Sequence, residues 1–186
     1  YDQQLQELGN AIYDHRKVFL EAFTPLFLEF YQTISNSTEE VSIIYQSHLL
    51  HQNMQELLSQ SRQLDIQTGR TNRGPHKDEL ELILNNHLIK KHGSQGQQKS
   101  FIIALKLAQF AYIKSKCGIT PILLLDDIFE KLDATRLQLL LSMMADSFFG
   151  QIIITDTHLE RTQQIFSQLQ IPQQYFIVNA GKISQL

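Results

Sequence analysis

Apolar residues recur along the first part of the chain at helical spacing. Leu5, Leu8, Ile12, Phe19, Phe23, Phe27 and Phe30 are separated by three, four or seven residues, which predicts helix from about Asp2 to Ser35. Thr24-Pro25 is expected to restart it, with Thr24 as N-cap and Pro25 in the first turn. Asn36-Ser37-Thr38 interrupts the stripe, and Val41 to Tyr45 reads as a short strand. A second helix is expected around Leu49 to Leu64. Gly69 and Arg73-Gly74-Pro75 mark a loop. Leu80 to Leu84 and Leu88-Ile89 read as a hairpin turning at Asn85-Asn86.

The pattern then changes. After a loop from Gly93 to Gly96, the segment Gln97 to Lys116 is apolar around most of a helical circumference, as in a helix buried on several sides. Gly118 suits its end, and Pro121 prevents continuation. Ile122 to Leu125 is an unbroken apolar run ending in Asp126-Asp127, which predicts a strand covered on both faces. Asp133 is placed to cap a helix with the stripe Leu137, Leu140, Leu141, Met144 and Phe148. Ile152-Ile153-Ile154 is a second buried strand. Thr157-x-x-Glu160 has the form of a capping box opening a helix to about Leu169. Phe176 to Val178 and Lys182-Ile183 close the chain as strands around Asn179-Ala180-Gly181. Alternating helix and strand from residue 97 onward predicts an α/β class with a helical entry segment.

Composition narrows the function classes. No apolar run approaches the roughly 20 residues that span a bilayer, and no leader pattern is visible. A single cysteine, Cys117, suits a reducing compartment, so a cytoplasmic location is expected. The chain opens on Tyr1 rather than Met, the start expected of a piece of something longer. Net charge over the 186 residues is −3, which excludes coating nucleic acid by bulk positive charge. Yet residues 62–99 carry seven Lys/Arg against four Asp/Glu, a local basic segment in an acidic chain that can form an anion-binding surface.

Three stretches can carry chemistry. Asp126-Asp127 stands at the carboxyl end of an apolar strand, where ligands of parallel α/β sheets gather. Its hard oxygens suit magnesium, and a carboxylate there can take a proton from water; the bland alternative is helix capping. Gly93-Ser94-Gln95-Gly96-Gln97-Gln98-Lys99-Ser100 opens a helix whose first N–H groups can hold a phosphate, or it is simply a cap. It is no P-loop, because Gln98 rather than Gly precedes Lys99 and no other G-x-x-x-x-G-K-[ST] occurs. Gly69 to Asp78 concentrates Arg70, Arg73 and Lys77, which can contact phosphates or form an ordinary solvated face. His48 and His51 sit three apart on a predicted helix but lack a third metal ligand. Cys117 reads as packing, and nothing supports a Ser-His-Asp nucleophile.

In this order, Gly69-Arg70-Thr71 with Gly74-Pro75-His76-Lys77-Asp78, Ser94-Gln95-Gly96-Gln97-Gln98-Lys99, and Pro121 to Asp127 with Leu132-Asp133 resemble the C-terminal half of the RecF family of bacterial DNA replication and repair proteins. That family is related to ABC-type and Rad50/SMC ATPase heads, and the resemblance runs over essentially the whole chain. It implies a signature of Ser94, Gln95, Gly96 and Gln97 touching the γ-phosphate held by a partner head. It implies Asp126 as the Walker B magnesium residue and Asp127 in place of the glutamate that activates water. Asp133 becomes a D-loop residue at the dimer interface. ATP and Mg2+ are the implied cofactors. Implied partners are gapped duplex or junction DNA, a second head in an ATP-dependent homodimer, and RecR and RecO type mediators.

Under the resemblance, residues 1–65 form a helical lobe with a short strand, 66–121 the signature-bearing segment, and 122–186 the Walker B half of an ATPase core. Asp156 stands where ABC ATPases place a switch histidine, with His158 two residues later; the switch role lies between them. With Walker A missing, this polypeptide alone is expected to be inactive or nearly so. Two other readings stay open: a non-enzymatic DNA- or protein-binding module using residues 69–78, and a magnesium nuclease on Asp126-Asp127, which lacks the carboxylate cluster of a two-metal site.

Overall fold

The computed structural model describes residues 2–36, 39–129, 132–167, 169 and 171–186. Helix α1 (Asp2–Ser35) leads into a small antiparallel sheet of β1 (Val41–Gln46), β2 (Glu79–Leu84) and β3 (His87–Leu88), with α2 (Met54–Thr68) inserted between β1 and β2. The short α3 (Ile89–His92) precedes α4 (Gln95–Cys117). Strands β4 (Leu123–Asp126) and β5 (Ile152–Thr155) pair in parallel around the crossover helix α5 (Ala134–Met144). Helix α6 (Leu159–Phe166) and the antiparallel pair β6 (Phe176–Asn179) and β7 (Lys182–Gln185) end the chain.

The main core lies where α1 meets α4. Phe27, Tyr31 and Ile34 of α1 and Ala104, Leu107 and Ala108 of α4 are completely buried, joined by Leu123 and Leu125 of β4 and Leu140 of α5. Phe101 lies between Phe27 and Tyr31 at centroid distances of 5.0 and 4.7 Å. Removing each of the larger of these side chains from water contributes about 1.5–3 kcal/mol. This core fixes the start of α4 relative to the carboxyl end of β4.

Both hairpin turns behave as their sequences require. Asn85 and Asn86 have φ of 48° and 65°, and Ala180 and Gly181 of 48° and 76°, the left-handed pair of a two-residue turn. Gly118 caps α4 in the left-handed region and donates its N–H to the Lys114 carbonyl.

Four expectations are corrected. Helix α1 is continuous through Pro25, so Thr24 is no N-cap. Proline costs the helix one backbone hydrogen bond, but Phe19 and Phe23 before it and Phe27 and Tyr31 after it pack on the same core and hold the axis together. Asn36 leaves the helix at φ 45°; Ser37 and Thr38 lie outside the described residues. Second, β4 and β5 are covered on one face only: Leu123 and Leu125 point into the core, whereas Leu124 is 60% and Ile153 46% exposed. The inward residues Leu123 and Leu125 share one core with Leu140 of α5 and Phe166 of α6. Third, Phe148 belongs to a separate 3-10 turn (Ser147–Phe149) because Asp146 caps a new turn after α5 has ended. Fourth, α6 begins at Leu159 without a side-chain cap. Asp156 takes the His158 N–H, and Thr157 turns its hydroxyl to the His158 ring, so Thr157-x-x-Glu160 makes no capping box. The helix stops at Phe166 rather than Leu169; Gln168 lies outside the described residues.

Candidate functional site

The carboxyl end of β4 presents two aspartates in different settings. Asp126 pairs with Thr155 across the parallel ladder; its carboxylate is exposed and accepts a hydrogen bond from the Thr155 hydroxyl. Asp127 leaves the strand in the left-handed region, at φ 49°. Two bonds hold it there. Its N–H donates to the Thr155 carbonyl at 3.1 Å, and its own carbonyl accepts from Lys99 Nζ at 2.6 Å. Asp127 Oδ1 is buried without a hydrogen-bond partner. Such an orphaned oxygen costs about 1–3 kcal/mol and suits a group that awaits a ligand or a proton. Among the described residues no cluster of three or more His, Cys, Asp or Glu exists. The protein therefore offers one or two carboxylates here, the donor set of a magnesium ion that fills its shell with water and phosphate oxygens. Asp126 and Asp127 fit that ion.

The start of α4 comes next to this strand end through Lys99. Helix α4 begins at Gln95, two residues earlier than the sequence pattern suggests, because Ser94 and Gln97 form a reciprocal cap. Ser94 Oγ accepts the Gln97 N–H at 3.2 Å, and Gln97 Oε1 accepts the Ser94 N–H at 2.8 Å. A helix leaves its first N–H groups without intrahelical acceptors. Here Gln97's is taken by Ser94, and those of Gln95 and Gly96 are left to outside acceptors. A serine hydroxyl used as an acceptor keeps its own O–H for donation, so Ser94 retains one donor. Gln97 spends one of its two Nε2 N–H groups on Glu39 Oε1 at 2.8 Å. Ser94, Gln95 and Gly96 offer donors at the helix start, and the bond to Glu39 braces the Gln97 amide behind them. Gly93 admits no side chain, since a Cβ there would lie 2.6 Å from Ile89 Cγ1 and 2.8 Å from the Ile89 carbonyl.

Asp133 is exposed and caps α5 by accepting the Arg136 N–H at 2.9 Å. Beyond β5, Asp156 is committed. Its side chain is 3% exposed, and its two oxygens both accept from Arg161 Nη2, at 2.7 and 2.9 Å. Burial alone would raise its carboxyl, but the His158 N–H and Arg161 outweigh burial and hold it below the usual range. His158 is 63% exposed.

Arg70, Arg73 and Lys77 are all exposed, on a loop with its own anchors. Asp65 accepts the backbone and side-chain N–H groups of Asn72 at 2.9 and 2.8 Å. Asp78, nearly buried, takes Arg16 at 2.7 Å and the Tyr45 hydroxyl. The carboxylate of this stretch thus neutralises Arg16 and leaves Lys77 to itself. Arg73 and Lys77, but not Arg70, line a cleft of about 360 Å³ with Ser47, His48, His51 and Gln52. No carboxylate lines it. Sequence reading weighed the two histidines only as a metal pair; their place beside Arg73 and Lys77 arises because α2 and the loop fold back over the end of β1, which no local pattern announces.

With this geometry in view, relatives can be compared. The sequence is 48% identical over 165 residues to the DNA replication and repair protein RecF of Flavobacterium johnsoniae, covering 89% of this chain and 46% of that protein. It is 44% identical over 186 residues to RecF of Azobacteroides pseudotrichonymphae, covering 100% and 51%.

The chain belongs to the RecF family.

It spans about half the length of the curated RecF relatives it matches, corresponding to the C-terminal half. No family model matches it. Solved structures of the recombination mediator protein RecF in the RecFOR pathway, with ATP and with ATPrS, superimpose with a TM-score of 0.76 at 25% identity, over 100% of this chain and 49% of theirs. A structure from work on ATP-driven dimerisation of SMC ATPases matches with a TM-score of 0.52 at 17% identity, over 91% of this chain and 88% of that one; it supports the fold alone. The RecF and SMC likenesses establish the expected α/β ATPase-head fold. No helix among the described residues is long and apolar enough to cross a membrane.

Proposed function

We propose that this chain supplies the signature, Walker B and D-loop elements of an ATP-sandwiched head dimer, in a RecF-like protein that acts on gapped DNA in recombinational repair with RecR and RecO type mediators. The single observation that carries the reading is the bond from Lys99, in the signature helix, to the carbonyl of Asp127. It joins a phosphate-ready helix start to a carboxylate pair at a parallel strand end. Membership in the RecF family and the likeness to RecF bound to ATP support it.

When bound, ATP and magnesium supply the phosphoryl group and its counter-charge. This chain's residues then divide the work. Ser94 O–H and the backbone N–H groups of Gln95 and Gly96 donate to phosphate oxygens of a nucleotide held by the partner head, at the positive end of α4. Asp126 holds the magnesium. Asp127, its Oδ1 unsatisfied, accepts a proton from the attacking water. Asp133 borders the dimer interface. His158, with its ring in solvent, takes the switch role in preference to Asp156, which is bound to Arg161.

The test is Asp127→Asn in the full-length protein. ATP still binds, and kcat falls at least about 100-fold, the lower end for a lost general base; turnover within a few-fold of the parent contradicts the assignment. Within this reading we assign the DNA contact to Arg73 and Lys77, supported by a cleft lined by no carboxylate. The same observation favours the second reading, a binding module without hydrolysis, in which Asp127→Asn leaves all ATP-related behaviour unchanged.

A further inference from the structure

Behind the two turns assigned to the dimer interface lies the largely covered guanidinium of Arg136. We infer that Arg136 is a positioning residue that couples the signature turn to the D-loop turn, so that the two approach a partner head as one unit. The inference rests on the head-dimer reading above.

The Arg136 side chain is 14% exposed and reaches three elements. Its Nη1 donates to Ser100 Oγ at 3.2 Å, its Nη2 lies 3.7 Å from Glu39 Oε1, and its Nε lies 3.3 Å from Asp133 Oδ2. Each partner leads on to an interface turn. Ser100, fully buried, donates its hydroxyl to the Gly96 carbonyl at 2.9 Å, inside the first turn of α4. Glu39 accepts from Gln97 at 2.8 Å through Oε1 and from the buried Tyr31 hydroxyl at 2.6 Å through Oε2. Asp133 is the cap of α5 itself. Arg136 therefore grips the back of the Ser94–Gln97 turn twice and the Asp133 turn once, while Tyr31 ties Glu39 to the α1–α4 core.

Chemistry favours positioning over simple stability. A buried ion pair contributes little net stability, because desolvation offsets the attraction, and apolar residues would fill the space as well. One hydrogen bond to Ser100 and ion pairs with two carboxylates on different elements, at 3.3 and 3.7 Å, call for a broad planar cation that presents charge and N–H groups in several directions at once. Arginine is one and lysine is not. Held this way, neither turn can shift without disturbing bonds of the other, which is what two loops meeting one phosphate across an interface require.

The test uses the full-length protein, with ATP-driven self-association measured by sedimentation and urea unfolding measured in parallel. Arg136→Gln and Glu39→Gln should each weaken association at least about fivefold, the low end of intersite coupling, with ATP binding to the separate head unchanged. The double variant should be no worse than the worse single one, since both break one linkage. Arg136→Lys should stay defective, whereas a role of charge alone predicts rescue and overturns the inference. Ser100→Ala, nearly isosteric, covers poor folding of the arginine variants: weaker association at an unchanged urea midpoint supports coupling, and unchanged association overturns it. Wild-type strength in Arg136→Gln, or losses that multiply in the double variant, also overturn it. The underlying reading is judged separately by the parent protein and Ser94→Arg. If the parent does not associate with ATP, the head-dimer reading fails and the coupling falls with it.

Discussion

Replacing Asp127 separates what the residue costs the fold from what it does for chemistry. Its backbone sits at φ 49°, a conformation that costs an ordinary L-residue about 1–2 kcal/mol and that aspartate and asparagine tolerate through local hydrogen bonds. Its Oδ1 is buried with no partner, a further cost of about 1–3 kcal/mol. Asp127→Asn keeps the left-handed tolerance, the N–H to the Thr155 carbonyl and the carbonyl for Lys99, while removing the charge from the orphaned position. It should therefore raise stability by about 1 kcal/mol, the conservative end of that range. Asp127→Ala removes the orphan altogether, which asparagine does not, but loses the side chain that supports positive φ; the two changes oppose each other, so it should lie within about 1 kcal/mol of the asparagine variant. For a chain of this size each kcal/mol moves the midpoint by about 2–4 °C. Thermal and urea unfolding of the parent and both variants, without magnesium or nucleotide, read the order directly. Loss of more than about 1 kcal/mol in Asp127→Asn would refute the reasoning, because it would mean that the carboxylate oxygen is paired in solution. An alanine variant more than about 1 kcal/mol more stable than the asparagine variant would refute the strain argument.

Two further outcomes follow from the site. Asp156 is held below its ordinary value of 3.8; a depressed carboxyl stabilises the fold above the unfolded value and loses that contribution as pH falls through the folded one. The stability gap between the parent and Asp156→Asn should thus be full near neutral pH and close below about pH 4, as read by urea midpoints across pH; a gap that widens on acidification contradicts the pairing with Arg161. Arg73→Gln and Lys77→Gln should each lower the slope of log affinity against log salt for duplex DNA by about 0.9, one phosphate contact apiece. Arg70→Gln, outside the cleft, should leave it unchanged.

Much of this was legible along the chain, and the failures have physical causes. The hairpins were readable because Asn85, Asn86 and Gly181 are residues that accept the positive φ of a tight turn; Ala180 adopts it at φ 48° without any such preference. The strand ahead of Asp126-Asp127 was readable because an unbroken apolar run is ended by two charged residues. Pro25 misled because propensity is local, while α1 is held straight by aromatic packing on both sides of it. Gly96 suggested a loop and hid the Ser94-x-x-Gln97 cap. The same pattern at Thr157 failed because the Thr157 hydroxyl faces the His158 ring and the helix begins two residues later, at Leu159. Leu124 and Ile153 show that an apolar run records which faces suit burial, not which are buried among the described residues. The Arg136–Glu39 link was beyond reach, since nothing local relates residues 39, 97, 100 and 136.

The central claim is that Ser94 and the N-terminal turn of α4 meet a nucleotide across a head-to-head interface. The most direct test is sedimentation of the full-length protein with and without ATP, beside Ser94→Arg. The account predicts dimers only with ATP in the parent, and monomers under both conditions in the variant. Dimers that form without ATP, or that persist in Ser94→Arg, would show that Ser94 is a helix cap and nothing more.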